Sequence, residues 1–353
     1  MESLVDQLKS VYAGKRILVT GHNGFKGSWL VALLEYLGAK VYGISLRISD
    51  VSPFIDFHEQ SVQSPSIIDI RDFEALKKQI IQINPELVFH FAAQSLVLDS
   101  YEYPRETFEV NVQGSVNLLD SLITTKCLGV IVATTDKVYR NDDTGSVFNE
   151  SDALWGHDPY SLSKTGTELA VAAWRNLPGS GNCQYVTARA GNVFGPGDRA
   201  TNRLLPDLLR SIRQKSTVEI RNPESIRPWQ YVLDPLLGYL MLGSKILSEE
   251  QVSNAYNFGP AEDSFVSVLD FALKLREIAS FEFKIAASKS DLESKILKLD
   301  SSLAESELGW RATTSLVSGL NYSVLLDQQK LSHGKCLEHV EKYLSSAQKF
   351  LVK

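Results

Sequence analysis

Residues 15–43 run KRILVTGHNGFKGSWLVALLEYLGAKVYG. Ile17, Leu18 and Val19 form an apolar run too short for a helix and closed by Thr20-Gly21, the pattern of a buried parallel strand. Glycines follow at 21, 24 and 27; Trp29, Leu30, Leu33, Leu34 and Leu37 then recur at helical spacing, and Gly38 precedes a second strand, Lys40 to Ile44. Strand, glycine turn, helix and strand make a βαβ unit. In that setting the first glycine permits a tight turn, the second lets backbone approach a pyrophosphate, and the third lets helix and strand pack closely. Phosphates would sit at the helix N-terminus, where free N–H groups and the macrodipole favour anions. Three glycines alone would mark only a strand-to-helix turn; the flanking elements make Gly21, Asn23, Gly24, Phe25, Lys26 and Gly27 candidate dinucleotide contacts.

Working outward, 353 residues suffice for one large α/β domain or two lobes, and 44% hydrophobic with 22% charged residues is ordinary globular composition. No apolar run approaches the ~20 residues of a membrane span, and MESLVDQLKSVYAG lacks the apolar core of a signal peptide. Three cysteines, at 127, 183 and 336, fit reduced cytoplasmic thiols. Six scattered histidines make no metal-ligand spacing, so no metal site is expected. A net charge of -6 argues against nucleic acid as a partner and requires a local basic patch for any anionic substrate.

Strands are predicted over Ser66–Ile70, Leu87–Phe91 and Val130–Ala133, with helices over 73–83 and 107–124 between them. Regular alternation implies a Rossmann-like, doubly wound parallel sheet with helices on both faces and ligands at the carboxyl ends of the strands. Asp69, Ile70, Ala92, Ala93, Gln94 and Asn111 join the candidate cofactor contacts. The acid usually found about 20 residues past the glycines is absent. Ser45-Leu46-Arg47 stands there, and Arg47 could accept a 2′-phosphate.

Beyond residue 190 loops lengthen and arginines gather at 189, 199, 203, 210, 213, 221 and 227. This predicts a smaller C-terminal substrate-binding lobe for a phosphorylated molecule, solvated helix faces being the alternative. The expected division is a dinucleotide domain over 1–190, a substrate lobe over 191–328 that returns to the first core, and a helical tail over 329–353 without chemistry.

Two stretches add chemistry: Thr134-Thr135-Asp136-Lys137 at the end of the fifth strand, and Tyr160-Ser-Leu-Ser-Lys164. Residues four apart share a helix face, so the Lys164 ammonium is expected near the Tyr160 hydroxyl, lowering its pKa toward working pH. Such a tyrosine can take a proton from a sugar hydroxyl while hydride leaves the same carbon. Thr135 could hold that hydroxyl or simply cap a turn.

With these residues in view, the chain resembles the extended short-chain dehydrogenases/reductases and, among them, the CDP-glucose 4,6-dehydratases. The matching stretches are TGHNGFKGSWL (20–30), FHFAAQSLV (89–97), TTDKVYRN (134–141), GHDPYSLSK (156–164), RAGNVFGPGD (189–198), NRLLPDLLR (202–210) and IRNPESIRPWQYVL (220–233). The resemblance implies NAD kept on the enzyme, oxidation at C4 by Tyr160 and Lys164, loss of water across C5 and C6, and return of the hydride to C6. It assigns Asp136 to protonation of the departing 6-hydroxyl and Lys137 to the C5 proton. Gln94, Thr135, Asn192, Arg203 and Arg227 are the implied substrate contacts, and Asp69 and Ile70 the implied adenine contacts. Leu98-Asp99, Trp155 and Arg199 depart from the family pattern near the expected substrate pocket. A homodimer or dimer of dimers, built on helices near 107–124 and 160–176, is also implied. Competing readings are a nucleotide-sugar epimerase or 4-reductase, and a dinucleotide sensor without turnover.

Overall fold

In a computed structural model the chain is described over residues 3–48, 52–177, 182–286, 296–329 and 331–351. Residues 330, 352 and 353 of the expected tail lie outside that range. Helix α1 (Leu4–Tyr12) precedes strand β1 (Arg16–Thr20), and helix α2 (Phe25–Tyr36) follows it. The further strands of the main sheet are β2 (Lys40–Ser45), β3 (Gln63–Ile67), β4 (Leu87–His90), β5 (Gly129–Ala133), β6 (Gln184–Ala190) and β7 (Ala255–Phe258). All pair in parallel, in the order β7-β6-β5-β4-β1-β2-β3. The order reverses between β1 and β4, and a ligand crevice opens outside the carboxyl ends of strands at such a switch point. β1, β4 and β5 are almost wholly buried, as expected of strands covered by helices on both faces.

Three elements differ from the sequence reading. β3 begins and ends three residues early, at Gln63–Ile67, so Ile68, Asp69 and Ile70 form the loop after it. It is an edge strand of polar composition with Pro65 inside it, and only its apolar end was visible as a pattern. The helix expected over 107–124 is a helical path from Pro104 to Leu122, with a π-turn at Glu109–Gln113. The C-terminal helix, His333–Leu351, is no appendage: Cys336, His339, Val340, Tyr343 and Leu344 are buried against α1 and α2. The Tyr343 hydroxyl donates to Asp234 across 2.9 Å.

Outside the main sheet, Asn192–Phe194 pairs in parallel with Ile226–Tyr231, which pairs antiparallel with Phe265–Ser267. This small sheet and helix Leu204–Gln214 lean over the crevice. The chain then returns through helix Leu233–Leu247 to β7, so residues beyond 190 complete the main sheet as well as the lobe.

Candidate active site

The site begins at the glycine turn. Gly21 holds φ +68, and a Cβ there would lie 2.7 Å from the backbone nitrogen of Ala92. The turn after β1 is thus pressed against the chain leaving β4, a fit only glycine permits. A Cβ on Gly27 would run into the Gly21 carbonyl, so this glycine sets the approach of α2 to the turn. Gly24 has neither constraint: its φ of -76 is ordinary, and a Cβ would meet only the Gly21 carbonyl at 3.4 Å. Its backbone caps α2 with no side-chain cap, leaving the first N–H groups facing the crevice. Trp29 anchors α2 from behind, fully buried and donating its indole N–H to the Pro196 carbonyl at 2.8 Å.

The crevice measures about 940 Å³, at the top of the ~300–1,000 Å³ common for ligand sites. Asn23, Phe25, Lys26, Asp69, Ile70, Ala92, Ala93 and Gln94 line one end of it together with the three glycines. Thr135, Lys137, Tyr160, Lys164, Asn192, Arg203 and Arg227 line the remainder. Gly21 and Arg227, 206 positions apart in sequence, thus share one cleft. Three sequence candidates are not on its wall: Arg47, Asn111 and Asp136.

Each has a physical reason. Arg47 is exposed on the loop leaving β2, where Ser45 and Leu46 face the crevice instead. Asn111 is buried in the π-turn; its amide accepts from the Gln94 N–H at 2.8 Å and donates to the Gln94 carbonyl and the Ser163 hydroxyl. It therefore braces the Ala-Ala-Gln loop against the Tyr160 helix, one layer behind the cleft. Asp136 is fully buried. Its Oδ1 accepts from the Thr135 hydroxyl at 3.0 Å and the Lys137 ammonium at 3.2 Å. Its Oδ2 has no partner.

Tyr160 and Lys164 share one face of helix Pro159–Arg175, which Asp158 caps through the Ser161 N–H. Their coupling differs from the sequence expectation. The Lys164 ammonium donates to the Ala133 carbonyl at 3.1 Å, and burial lowers its pKa to about 8. Burial pushes the Tyr160 phenol up to about 12, against the opposing pull of its hydrogen bond to Thr135. In the ligand-free protein the phenol is thus protonated, the desolvation cost of a phenolate exceeding what nearby cations return.

Sequence reasoning missed one supporting group. Glu168, one turn beyond Lys164, accepts from Thr134, Thr187 and Arg189, with the last contact a fully desolvated ion pair at 2.8 Å. The i, i+4 spacing from Lys164 was the available signal; the Arg189 partner, on β6, was not. Arg189 is accordingly one of the clustered arginines that serve the fold. Arg199 and Arg213 both pair with the buried Asp327, and Arg210 with Asp207, while Arg199, Arg203, Arg221 and Arg227 line the cleft. Arg203 itself bridges Asp198 at 3.1 Å and Ser95 at 2.9 Å.

Lys26 points inward. Its ammonium lies 3.3 Å from the Tyr239 hydroxyl, between the rings of Phe91 and Tyr239. Burial, with Lys164 and Arg203 nearby, lowers its pKa from 10.5 to about 7. Between those two values the unfolded chain binds more protons than the folded one, so this lysine's cost to stability is complete below about pH 7 and fades as pH rises. Lys26→Met should therefore raise the melting temperature of ligand-free protein at about pH 6, the gain shrinking by about pH 9. A gain independent of pH would show that Lys26 is not the strained cation.

Among the described residues no helix is long and apolar enough to cross a membrane, and no group of three His, Cys, Asp or Glu could hold a metal.

A parallel sheet with a glycine turn at its switch point, a threonine just past the carboxyl end of β5, and a tyrosine and lysine on the helix beside it define a dinucleotide-dependent enzyme fold acting on a hydroxyl-bearing substrate. The NAD dependent epimerase/dehydratase model matches residues 17–259, and the chain belongs to that family. It is 40% identical over 326 residues to the CDP-glucose 4,6-dehydratase of Salmonella typhimurium, covering 88% of this chain and 90% of that protein. Among solved structures, MoeE5 in complex with UDP-glucose and NAD superposes with a TM-score of 0.77 at 25% identity, over 90% of this chain and 99% of that one. A double mutant of DesIV, a dTDP-glucose 4,6-dehydratase from Streptomyces venezuelae, shares the fold at a TM-score of 0.74 and 22% identity, over 89% and 97% of the two chains.

Proposed function

We propose that the chain is an NAD-dependent CDP-glucose 4,6-dehydratase, forming CDP-4-keto-6-deoxyglucose in the cytoplasm. The observation that carries this is the buried Asp136 carboxylate, bonded to Thr135 and to Lys137, which line the same cleft as Tyr160. An epimerase or 4-reductase needs the tyrosine and lysine but no stored acid beside them, and a sensor needs neither.

The residues fit the cofactor: the uncapped N-terminus of α2 and the open side of Gly24 leave a cradle that a side chain would fill. Gly21 to Gly27 would hold the pyrophosphate, and Asp69, fixed by Arg71 through its carboxylate, the adenine side. When bound, NAD takes the C4 hydride and returns it to C6. Arg203 and Arg227 would hold the substrate diphosphate, and Asn192, bonded to the Lys137 ammonium at 3.2 Å, the adjoining sugar. Tyr160 would receive the 4-hydroxyl proton as a phenolate, after its own proton has left. The resulting ketone acidifies C5, Lys137 exchanges the C5 proton, and Asp136 supplies the proton with which the 6-hydroxyl leaves as water.

Incubation of the protein with CDP-glucose deuterated at C4 should give a 4-keto-6-deoxy product carrying the label at C6, with no net reduction of the cofactor. Label in free reduced cofactor would instead identify an ordinary dehydrogenase.

The same reading includes a homodimer. Phe108, Ile123 and Leu169 are 41%, 37% and 63% exposed on the two helical segments expected to meet a second copy. Analytical ultracentrifugation should find a species near twice the 39.2 kDa of one chain. Charged replacement at Leu169 should shift it to monomer; a persistent monomer in the parent protein would exclude this pairing.

A further inference from the structure

Beside the main cleft lies a second, far smaller cavity of about 20 Å³, and Lys137, Val97 and Arg227 line both spaces. The rest of its polar wall comes from Asn141, His157, Asp158 and Ser161. Asn141 and Asp158 are buried, whereas His157 is exposed, so the cavity runs from the cleft toward the protein surface.

Its size and lining suit one water, which needs roughly 10–15 Å³ and two to four polar partners. A lysine ammonium has three N–H donors. That of Lys137 gives one to Asp136 and one to Asn192, each at 3.2 Å, and the third has no protein partner among the described residues. The Asp158 carboxylate accepts from the Ser161 backbone N–H at 2.9 Å and from the Ser161 hydroxyl, which leaves lone pairs for a further donor. A water in the cavity thus finds a donor in Lys137 and an acceptor in Asp158. The other walls are apolar: Leu297 is buried, and Tyr139 turns its hydroxyl away to Asn257 at 2.7 Å.

We infer that this cavity holds one water that joins Lys137 to solvent while substrate fills the cleft, and so supplies the hydrogen that ends at C5. This rests on the dehydratase reading. As the C5–H bond breaks, Lys137 gains the proton and the electron pair forms the C5–C6 double bond. The C6–O bond breaks in turn, and the hydroxyl leaves as water with the proton that Asp136 supplies. Lys137 then passes one proton to the cavity water as the water passes one to Asp158. A solvent proton returns along the same path, so Lys137, the water and Asp158 carry the same charges as before the exchange. The proton Lys137 gives to C5, as the hydride reaches C6, is therefore one from solvent.

The test is a single turnover of ordinary CDP-glucose by NAD-loaded enzyme in heavy water, quenched at once, with the hydrogen at C5 of the 4-keto-6-deoxy product read by NMR. In the parent enzyme almost none of the substrate's own C5 hydrogen should remain. Leu297→Phe fills the cavity from a wall that touches no reacting group. Lys137, already deuterated, then keeps the abstracted hydrogen as one of three equivalent N–H bonds without exchange, so at least about one third of it should return to C5. Leu297→Ala, which enlarges the cavity at the same position, should behave as the parent. Should Leu297→Phe not fold, Val97→Ile fills the same space and is read in the same way. Retention at the parent level in the filled variant, or raised retention in Leu297→Ala as well, overturns the inference. Substrate hydrogen kept at C5 by the parent enzyme overturns it equally, as does a crystal structure of the ligand-free parent in which the cavity is dry. A parent enzyme that makes no 6-deoxy product overturns the dehydratase reading instead, which chromatography of the same samples separates.

Discussion

Asp136→Asn should lower formation of 6-deoxy product by about 10²–10⁴-fold, the range spanned by loss of a general acid. The amide can neither hold nor pass on the proton with which the 6-hydroxyl leaves. Oxidation at C4 still has Tyr160, so quenched samples should contain reduced cofactor and a 4-keto-glucose intermediate, both separable from product by chromatography. Lys137→Ala, acting at the neighbouring step, should slow exchange of the C5 proton with solvent deuterium. The alternative is an ion pair of structural value only. Asp136 is fully buried, so deleting its charge would then act on stability and leave turnover per folded molecule near the parent value. Near-normal turnover by both variants would place elimination on other residues.

Gly24→Val should abolish NAD binding while leaving the melting temperature of the ligand-free protein close to the parent value. The three glycines differ here. Gly21 is held at positive φ against the Ala92 backbone, and Gly27 abuts the Gly21 carbonyl, so a side chain at either disturbs the protein itself. Gly24 has ordinary backbone angles and one neighbour at 3.4 Å, so a valine folds there but sets its branched side chain where α2 offers free N–H groups to an anion. Calorimetric titration with NAD reads the loss directly. Unchanged affinity in a protein of unchanged stability would move the pyrophosphate elsewhere.

The parallel sheet agrees with what the apolar runs and the glycine turn indicate, because buried parallel strands are continuous apolar runs and glycine turns are local constraints. Ile17 to Val19, Leu87 to Phe89 and Val130 to Val132 carry that signal in full. β3 does not: its residues QSPSI sit at the sheet edge, where one flank needs no apolar cover. The arginine cluster shows the same limit. Composition marks a basic region, but Arg189 against Glu168 and Arg199 against Asp327 are settled by partners 21 and 128 residues away.

What the sequence by itself determined is therefore the βαβ unit with its three glycines, the parallel arrangement that follows from alternating elements, and the residue types of the candidate catalytic set. These depend on contacts within a few residues or on a hydrophobic period. Tertiary structure decided where those residues face and what they touch. It set Asn111 behind the Gln94 loop, drew Lys26 inward between Phe91 and Tyr239, and turned the C-terminal helix into core. It also sealed Asp136 behind Thr135 and Lys137. Burial and hydrogen-bond direction arise only when distant segments pack, and they govern where a proton can go.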